Sequence, residues 1–241
     1  MRSIQMIIPS AVNALVSCEF SAVVRDELRL LGINAWSCDK RECEGDPAWH
    51  IQDDVLNYLS LGWDMMIAHP PCTYLSNSSL RWLYLGGRKV ITNGTPNWDY
   101  DRCENMHLAA EFYNHHVRAP IPLIAIENPR MHPYAITECG EPDQYVQLWQ
   151  FGDPETKEHG FRLKGLPKLT PTNILPPSQR AALVHREPPG PNRERNRSRT
   201  RPGIAAAMAN QWGKFAIKHN PCDISPRDVP VSFTVDHGNV I

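Results

Sequence analysis

The sequence predicts an α/β fold built on a doubly wound, mostly parallel sheet. Three observations support this prediction. Short apolar runs alternate with segments of helical periodicity through residues 11–127, which is the pattern of strand–helix–strand units. Two of the apolar runs end in polar residues and proline, as expected where buried strands stop at a ligand-binding edge. A chain of 241 residues is long enough to bury one such core.

The predicted elements follow one another along the first 127 residues. Predicted strands cover residues 11–18, 35–38, 50–55, 65–68 and 122–126, the third of them as a strand or a turn. Predicted helices cover residues 23–31 and 101–118, and an amphipathic stretch runs up to Leu61. Gly32 is expected to end the first helix, because glycine tolerates the left-handed backbone found there. Residues 75–94 show no clear periodicity.

The predicted domain organisation is simple. Residues 1–219 are expected to form a single domain and residues 220–241 a C-terminal tail. Prolines become frequent after Asn128 and periodicity weakens, which predicts loops over residues 129–203, laid across the active face of the sheet. Pro202 and Gly203 then open an alanine-rich helix over residues 204–212.

The composition favours a protein of a reducing compartment. Seven cysteines without regular spacing fit a cytoplasmic location better than a disulfide framework. The sequence has neither a secretory signal nor an apolar run of the ~20 residues needed to cross a bilayer, so no membrane partner is expected. Because the net charge is −1, a nucleic-acid site would have to come from a local basic patch.

One basic patch lies between Arg180 and Arg201. The segment holds seven arginines and only two acidic residues. Three prolines and a glycine within residues 188–191 predict a loop rather than a helix. Beside an active site, such a loop would neutralise phosphates; the alternative is a solvated basic loop.

Cys72 follows the predicted strand at residues 65–68. Two prolines, Pro70 and Pro71, end that strand because neither can donate a ladder hydrogen bond. A rigid turn that holds a thiol at the carboxyl end of a strand suits a nucleophile. The alternative is a buried structural cysteine.

Glu127 occupies the equivalent place after the predicted strand at residues 122–126, in the sequence Glu127-Asn128-Pro129. If both strands are parallel, their carboxyl ends meet at one edge of the sheet. A thiol and a carboxyl group converging there suit covalent catalysis with acid assistance. The alternative for Glu127 is a carboxylate that caps a turn.

The motifs Pro70-Pro71-Cys72 and Glu127-Asn128-Pro129 resemble the catalytic motifs of the DNA cytosine-5 methyltransferases, which carry a Pro-Cys loop and a downstream Glu-Asn dipeptide. The resemblance extends in motif order over residues 12–213, and the chain looks most like the short phage-encoded forms. It implies the Rossmann-like fold of the S-adenosylmethionine-dependent methyltransferases and methylation of cytosine C5 in DNA. In a phage, such an enzyme would protect DNA from restriction in the cytoplasm of the bacterial host.

The resemblance also implies the roles of individual catalytic residues. Cys72 would add to C6 of the base, which makes C5 nucleophilic enough to accept a methyl group. Glu127, as a protonated carboxyl group, would assist at N3, and Asn128 would orient the catalytic loop. Arg197 and Arg199 match the Arg-x-Arg motif that positions the base and the loop.

S-adenosylmethionine is the methyl donor that the resemblance implies. The turn after the first strand would line it, and two acidic residues would bind its ribose and lie near its adenine. The implied contacts are Cys18, Glu19, Phe20, Ser21, Asp39, Asp54 and Pro70. Capping of a helix or turn is the alternative for both aspartates. The family has several glycines at this turn, whereas residues 17–22 contain none.

A second departure concerns recognition of the target. The family inserts a recognition domain after the Arg-x-Arg motif, but here Arg199 and Pro202 are almost adjacent. We therefore expect relaxed recognition, or contacts supplied by residues 73–100 and 130–195. The base would have to be flipped out of a duplex or presented by single-stranded DNA.

Two other functions are compatible with the sequence. The glycine-poor turn fits a nucleic-acid-binding protein that has kept the fold and lost catalysis. The Cys–Glu pair also fits a related enzyme that modifies C5 of a pyrimidine in RNA, or of a modified base. No metal is expected, because the spacings of Cys38 with Cys43 and of Cys103 with His107 lack a matching second half.

Overall fold

A seven-stranded sheet forms the centre of the protein, for which a computed structural model describes residues 12–219. The strands in chain order are β1 (Asn13–Ser17), β2 (Asn34–Asp39), β3 (His50–Gln52), β4 (Met65–Ala68), β5 (Ile91–Thr92), β6 (Thr95–Pro96), β7 (Leu123–Pro129), β8 (Gln144–Gln147) and β9 (Glu158–Lys164). The first residue of the predicted strand 11–18 and the predicted tail 220–241 lie outside the described residues.

Seven α-helices accompany the strands within the described residues. They are α1 (Val23–Leu30), α2 (Tyr100–Arg118), α3 (Pro133–Cys139), α4 (Leu183–Arg186), α5 (Arg193–Ser198), α6 (Pro202–Met208) and α7 (Lys214–His219). A π-helical turn at Ala209–Gly213 joins α6 to α7. Among residues 12–219, no helix combines the length and the apolar character that a membrane span requires.

The order of strands in the sheet is β3-β2-β1-β4-β7-β9-β8, and β5 pairs separately with β6. Strands β3, β2, β1, β4 and β7 are parallel to one another, whereas β9 is antiparallel to both β7 and β8. The chain starts at the middle of the sheet with β1 and winds outward in both directions. The predicted doubly wound, mostly parallel sheet is therefore confirmed.

The core lies on both faces of this sheet. Along β1 and β4, Ala14 and Met65 face a cluster that includes residues of α1 and α6, whereas Leu15 and Met66 face a cluster with residues of α2 and α3. Side chains alternate in this way because successive residues of a strand point to opposite faces. All four residues of β4 are buried, which accounts for its uninterrupted apolar sequence.

The second half of the chain differs from the prediction. Residues 129–203, predicted as loops, contain the sheet strands β8 and β9 and the helix α3. The arginine segment, also predicted as a loop, contains the short helices α4 and α5 on either side of its prolines. Prediction failed for β8 and β9 because their apolar patterns are short: in β9 only Phe161 and Leu163 alternate with polar residues, and each strand depends on pairing with another strand.

Candidate functional site

Cys72 and Glu127 lie at the same edge of the sheet. Strands β4 and β7 pair in parallel with Ala68 aligned to Ile126, so Glu127 stands one residue beyond the last pair and Cys72 lies in the loop after β4. The side-chain amide of Asn128 donates a buried hydrogen bond to the carbonyl oxygen of Pro70, at 3.3 Å. This bond ties the cysteine loop to the end of β7.

The Cys72 thiol is protonated in the resting site. Burial raises the pKa of Cys72, Lys157 acts in the opposite direction, and the negative charge of Glu127 raises the pKa further. The backbone around the thiol is a tight turn, in which the Cys72 carbonyl accepts hydrogen bonds from the N–H groups of Leu75 and Ser76, at 3.2 and 3.0 Å. The turn following Pro71 therefore holds the thiol in place without ionising it.

Glu127 is buried between two imidazoles. Nδ1 of His159 lies 2.5 Å from Glu127 Oε1, and Nδ1 of His69 lies 3.5 Å from Oε2. Burial by itself would raise the pKa of Glu127, but His159, His69 and the charge of Lys157 outweigh it and hold the pKa well below its usual value. The side chain is therefore a carboxylate in the resting site.

The protonation state expected of Glu127 is not the one that its surroundings favour. A protonated carboxyl group was expected, whereas the pKa of Glu127 is lowered, and the pKa of the candidate nucleophile Cys72 is raised. The physical reason is the unequal distribution of partners: two imidazoles approach Glu127, while desolvation dominates at Cys72.

Three residues of this edge were not found from the sequence: His69, Lys157 and His159. His69 lies inside the Cys72 motif and was assigned no role. His159 belongs to the start of β9 and Lys157 directly precedes this strand, in a region that was predicted as a loop. The alternation of Phe161 and Leu163 with polar residues in β9 was the available signal.

The two arginines of the Arg-x-Arg motif lie in different surroundings. Arg197, on α5, is close enough for its charge to lower the pKa of Cys72. Arg199 turns away and forms a bidentate pair with Glu44, with nitrogen–oxygen distances of 2.7 Å. Arg195 binds the same carboxylate, at 2.6 Å. Of the two motif arginines, Arg197 therefore acts on the cysteine, whereas Arg199 is engaged by Glu44.

The turn after β1 contains two residues with left-handed backbone, although residues 17–22 include no glycine. Cys18 and Ala22 have φ angles of 57° and 63°, a conformation that costs an L-residue about 1–2 kcal/mol. Glu19 stabilises the turn, because its carboxylate accepts hydrogen bonds from the N–H groups of Val24 and Arg25, at 2.8 and 3.2 Å. The turn thus adopts left-handed backbone at two positions without containing glycine.

Phe20 and Ser21 are packed into the protein at this turn. The guanidinium carbons of Arg41 and Arg195 lie 5.3 and 5.5 Å from the centre of the Phe20 ring, within the range of cation–π contacts. The hydroxyl of Ser21 donates to Glu19, at 3.4 Å. Glu19 and Ser21 therefore support the turn and the start of α1, and their polar atoms are engaged there.

The two predicted acidic contacts lie beside Cys18. Asp39 ends β2 and accepts a hydrogen bond from the N–H of Arg41, and Asp54 pairs with Lys40 at 3.0 Å. Burial raises the pKa of Cys18 to about 12, and the charges of Asp39 and Asp54 add to the shift. Both carboxylates therefore lie close to the turn after β1, at the carboxyl ends of β2 and β3.

The side chains at the carboxyl ends of β2 and β3 have the chemistry to bind a nucleoside. Partly exposed carboxylates such as Asp39 and Asp54 suit the hydroxyl and amine donors of a nucleoside. Glu19 and Ser21 do not fit such a contact, because their polar atoms are already bonded within the turn. Within the described residues, no group of three His, Cys, Asp or Glu side chains is arranged to hold a metal ion.

Comparisons with known proteins give little guidance. No protein-family model matches the chain, and no curated protein matches it. A solved structure, named as a candidate DNA modification methyltransferase encoded within an E. coli prophage, is similar at 16% sequence identity with a TM-score of 0.38. The match covers 69% of this chain and 52% of that one, so the chain spans about half the length of this neighbour. A likeness at this level carries no argument about activity.

Proposed function

We propose that the chain is an S-adenosylmethionine-dependent methyltransferase acting on C5 of cytosine in DNA. The observation that carries the proposal is that Glu127 of β7 and the Cys72 loop after β4 lie at one edge of the sheet, with the charge of Glu127 acting on the Cys72 thiol. Their loops are joined through Asn128 and Pro70. A thiol and a carboxylate held in this way suit addition of sulfur to a pyrimidine ring.

The resting protonation states support a proton route within the site. Sγ of Cys72 forms a bond to C6 of the base while its own proton leaves towards the Glu127 carboxylate. The electrons of the C5–C6 double bond shift towards C4, and N3 takes the proton that Glu127 received. The product of this step is a neutral enamine with a nucleophilic C5, and no external acid is required.

S-adenosylmethionine would supply the electrophilic methyl group. Asp39 and Asp54 would hold its nucleoside part by their carboxylates, beside the left-handed turn at Cys18. The carbonyl group of Pro70 is occupied by Asn128, so Pro70 would contribute surface rather than a hydrogen bond. A flipped or single-stranded cytosine would enter beside Cys72, where Arg197 supplies positive charge.

Covalent trapping tests the proposal directly. An oligonucleotide with 5-fluorocytosine is incubated with S-adenosylmethionine and the protein, because fluorine at C5 cannot leave as a proton and the thiol should stay attached. We expect an adduct by denaturing gel and intact mass for the wild type, none for Cys72→Ala, and a normal adduct for Cys103→Ala, which removes another partly buried free cysteine.

Two outcomes would overturn the proposal. An adduct that survives Cys72→Ala would exclude Cys72 as the nucleophile. Failure of the wild type across duplex and single-stranded DNA would exclude DNA cytosine as the substrate. The same experiment with RNA then distinguishes a pyrimidine-modifying enzyme of RNA from a binding protein without catalytic activity.

A further inference from the structure

His159 and Glu127 are diagonal neighbours on one face of the sheet. In the antiparallel pair of β7 and β9, Glu127 aligns with Phe161, and Pro129 aligns with His159. Residues two apart on a strand share a face, so the register brings His159 towards Glu127 from the adjacent strand. The resulting 2.5 Å approach of Nδ1 to Oε1 is shorter than the 3.5 Å approach of His69 from the other side.

The pair is enclosed by the protein. Each side chain is only 12% exposed, and Nε2 of His159 is buried without a hydrogen-bond partner among the described residues. The ionisable groups that act on Glu127 or on its neighbours from the surrounding elements are Glu19, His69, Cys72, Tyr113, Lys157 and Arg197. Of these groups and His159, only His159 and His69 are paired directly with the Glu127 carboxylate.

We propose that His159 is a positioning residue that keeps Glu127 ionised in the resting site, so that Glu127 takes the proton of Cys72 and passes it to the base. The part that His159 plays in catalysis rests on the proposed function. A buried carboxylate without a polar partner would become protonated, and a protonated Glu127 could not accept the thiol proton. His159 acts through Glu127 and has no contact with the base in this role.

Cys72, Glu127 and His159 have separate roles in the proton transfer. The Sγ–H bond of Cys72 breaks as the Sγ–C6 bond forms, and an O–H bond forms on Glu127. That O–H bond then breaks as N3–H forms, which returns Glu127 to the carboxylate state beside His159. His159 gains and loses no proton overall, so it needs no exchange with solvent during this step.

The protonation of Glu127 can be measured without any substrate. Carboxyl-¹³C-glutamate NMR would follow the titration of Glu127 in the wild type, His159→Asn and His69→Asn, with Glu127→Gln assigning the signal. Asparagine keeps an N–H near the place of Nδ1 but cannot be protonated. We expect the Glu127 midpoint to rise by about one pH unit or more in His159→Asn and by less in His69→Asn.

His107→Asn is a matched control. His107 Nδ1 also lies 2.5 Å from a carboxylate, that of Glu138, but on the surface, and its replacement should leave Glu127 unchanged. An unchanged Glu127 midpoint in His159→Asn, or a larger change in His69→Asn, would overturn the proposal. If His159→Asn does not fold, His159→Gln provides the same comparison.

A kinetic measurement links this pair to the reaction. The rate of adduct formation with 5-fluorocytosine DNA would be measured from pH 4 to pH 9 in single turnovers. We expect His159→Asn to bind DNA normally, to react more slowly than the wild type at the acidic end of this range, and to move the acidic limb of its profile upward by the same interval as the Glu127 midpoint. A wild-type rate and profile would overturn the role of His159, whereas absence of any wild-type adduct would overturn the proposed function.

Discussion

Asn128 joins the two halves of the candidate site through one hydrogen bond. Its amide donates to the carbonyl of Pro70, and Asn128 itself is buried. We expect Asn128→Ala to leave that carbonyl unpaired and to lower the free energy of unfolding by about 1–2 kcal/mol. Adduct formation should slow by about tenfold, because the cysteine loop loses its link to β7. Urea denaturation and single-turnover trapping would measure the two effects.

Asn34→Ala is the control for this change. The Asn34 amide also donates a side-chain hydrogen bond, to Asn13 at 2.8 Å, but at an exposed position. Its replacement should cost less than about 0.5 kcal/mol and leave trapping unaffected. Equal losses of stability for both variants, or normal trapping by Asn128→Ala, would contradict the proposed role of Asn128.

The lowered pKa of Glu127 predicts that the protein loses stability in acid. Its folded pKa lies well below the ordinary value of 4.5, so the unfolded chain binds a proton there first as the pH falls. The stabilisation is therefore complete above about pH 4.5 and is lost as the pH drops through the folded pKa. Between about pH 5 and pH 3, wild type should lose stability more steeply than Glu127→Gln, by up to about 1.4 kcal/mol per pH unit.

Chemical denaturation at a series of pH values would test this. The difference between the two curves reports the titration of Glu127 together with the change that its charge causes in the pKa of His159. Parallel curves for wild type and Glu127→Gln would show that the Glu127 carboxyl group has the same pKa in the folded and unfolded chains, contrary to the geometry around it.

The residues that were predictable share one property: each lies within a few residues of an apolar run. Cys72 comes four residues after β4 and Glu127 lies in the last part of β7, and each strand is recognisable from its own sequence. His159 is part of the same cluster but reaches it through the register of β9 with β7. Such a pairing joins residues distant in sequence, and no local pattern specifies it.

At the scale of elements, Gly203 determines how α6 starts. A Cβ built there would lie 2.1 Å from the backbone oxygen of Phe151. A backbone atom cannot rotate aside as the end of a side chain can. Alanine normally stabilises a helix by about 1 kcal/mol over glycine, but this clash outweighs the gain. We expect Gly203→Ala to lower the free energy of unfolding by about 1–3 kcal/mol, measured by the midpoint of urea denaturation.

Gly190→Ala is the matched control. A Cβ at Gly190 meets nothing within 4 Å, and its backbone lies outside the left-handed region. The substitution should change stability by less than about 0.5 kcal/mol, or increase it slightly by restricting the unfolded chain. If Gly203→Ala were as stable as Gly190→Ala, the close packing of α6 against Phe151 would be wrong.

Glu44 holds α5 against the turn after β1. It binds Arg195 and Arg199, and hydrogen bonding to Arg199 lowers its pKa despite partial burial. Such partly exposed pairs contribute about 0–1 kcal/mol each. We therefore expect Glu44→Gln to speed tryptic cleavage within residues 193–201 by up to about fivefold, followed by mass spectrometry.

Glu111→Gln, at an exposed position of α2, removes one acidic residue without touching α5. Its cleavage rate should equal that of the wild type. The same rate for Glu44→Gln would mean that α5 is held by contacts other than these ion pairs. Raising the salt concentration should also bring the wild type towards the Glu44→Gln rate, because exposed ion pairs are screened.

The arginine segment shows why elements of the second half were difficult to predict. Its prolines correctly exclude a helix over residues 188–191, but α5 forms immediately afterwards. That helix has only six residues and no buried side chain, so an apolar period is absent from its sequence. Its contacts to Glu44, which is 151 residues away from Arg195, help to hold it instead.

At the scale of the whole molecule, the net charge does not favour binding to DNA, but one segment of the chain is basic. The net charge is −1, yet residues 73–98 contain Arg81, Arg88 and Lys89 and no acidic residue. This segment follows Cys72 directly, and those three side chains are exposed. Trp82, Leu85 and Ile91 add exposed apolar surface to the same segment. We therefore expect residues 73–98 to contact the substrate in place of a separate recognition domain.

The salt dependence of binding tests this expectation. Each phosphate contact contributes about 0.9 to the slope of log Kd against log salt concentration for duplex DNA. Arg88→Ala combined with Lys89→Ala should therefore reduce that slope by about 2 and weaken binding to all sequences alike, measured by fluorescence anisotropy. Lys214→Ala with Lys218→Ala removes the same charge from exposed positions of α7 and should keep the wild-type slope. An equal reduction in both double variants would show that binding responds to net charge, and that residues 73–98 form no specific contact surface.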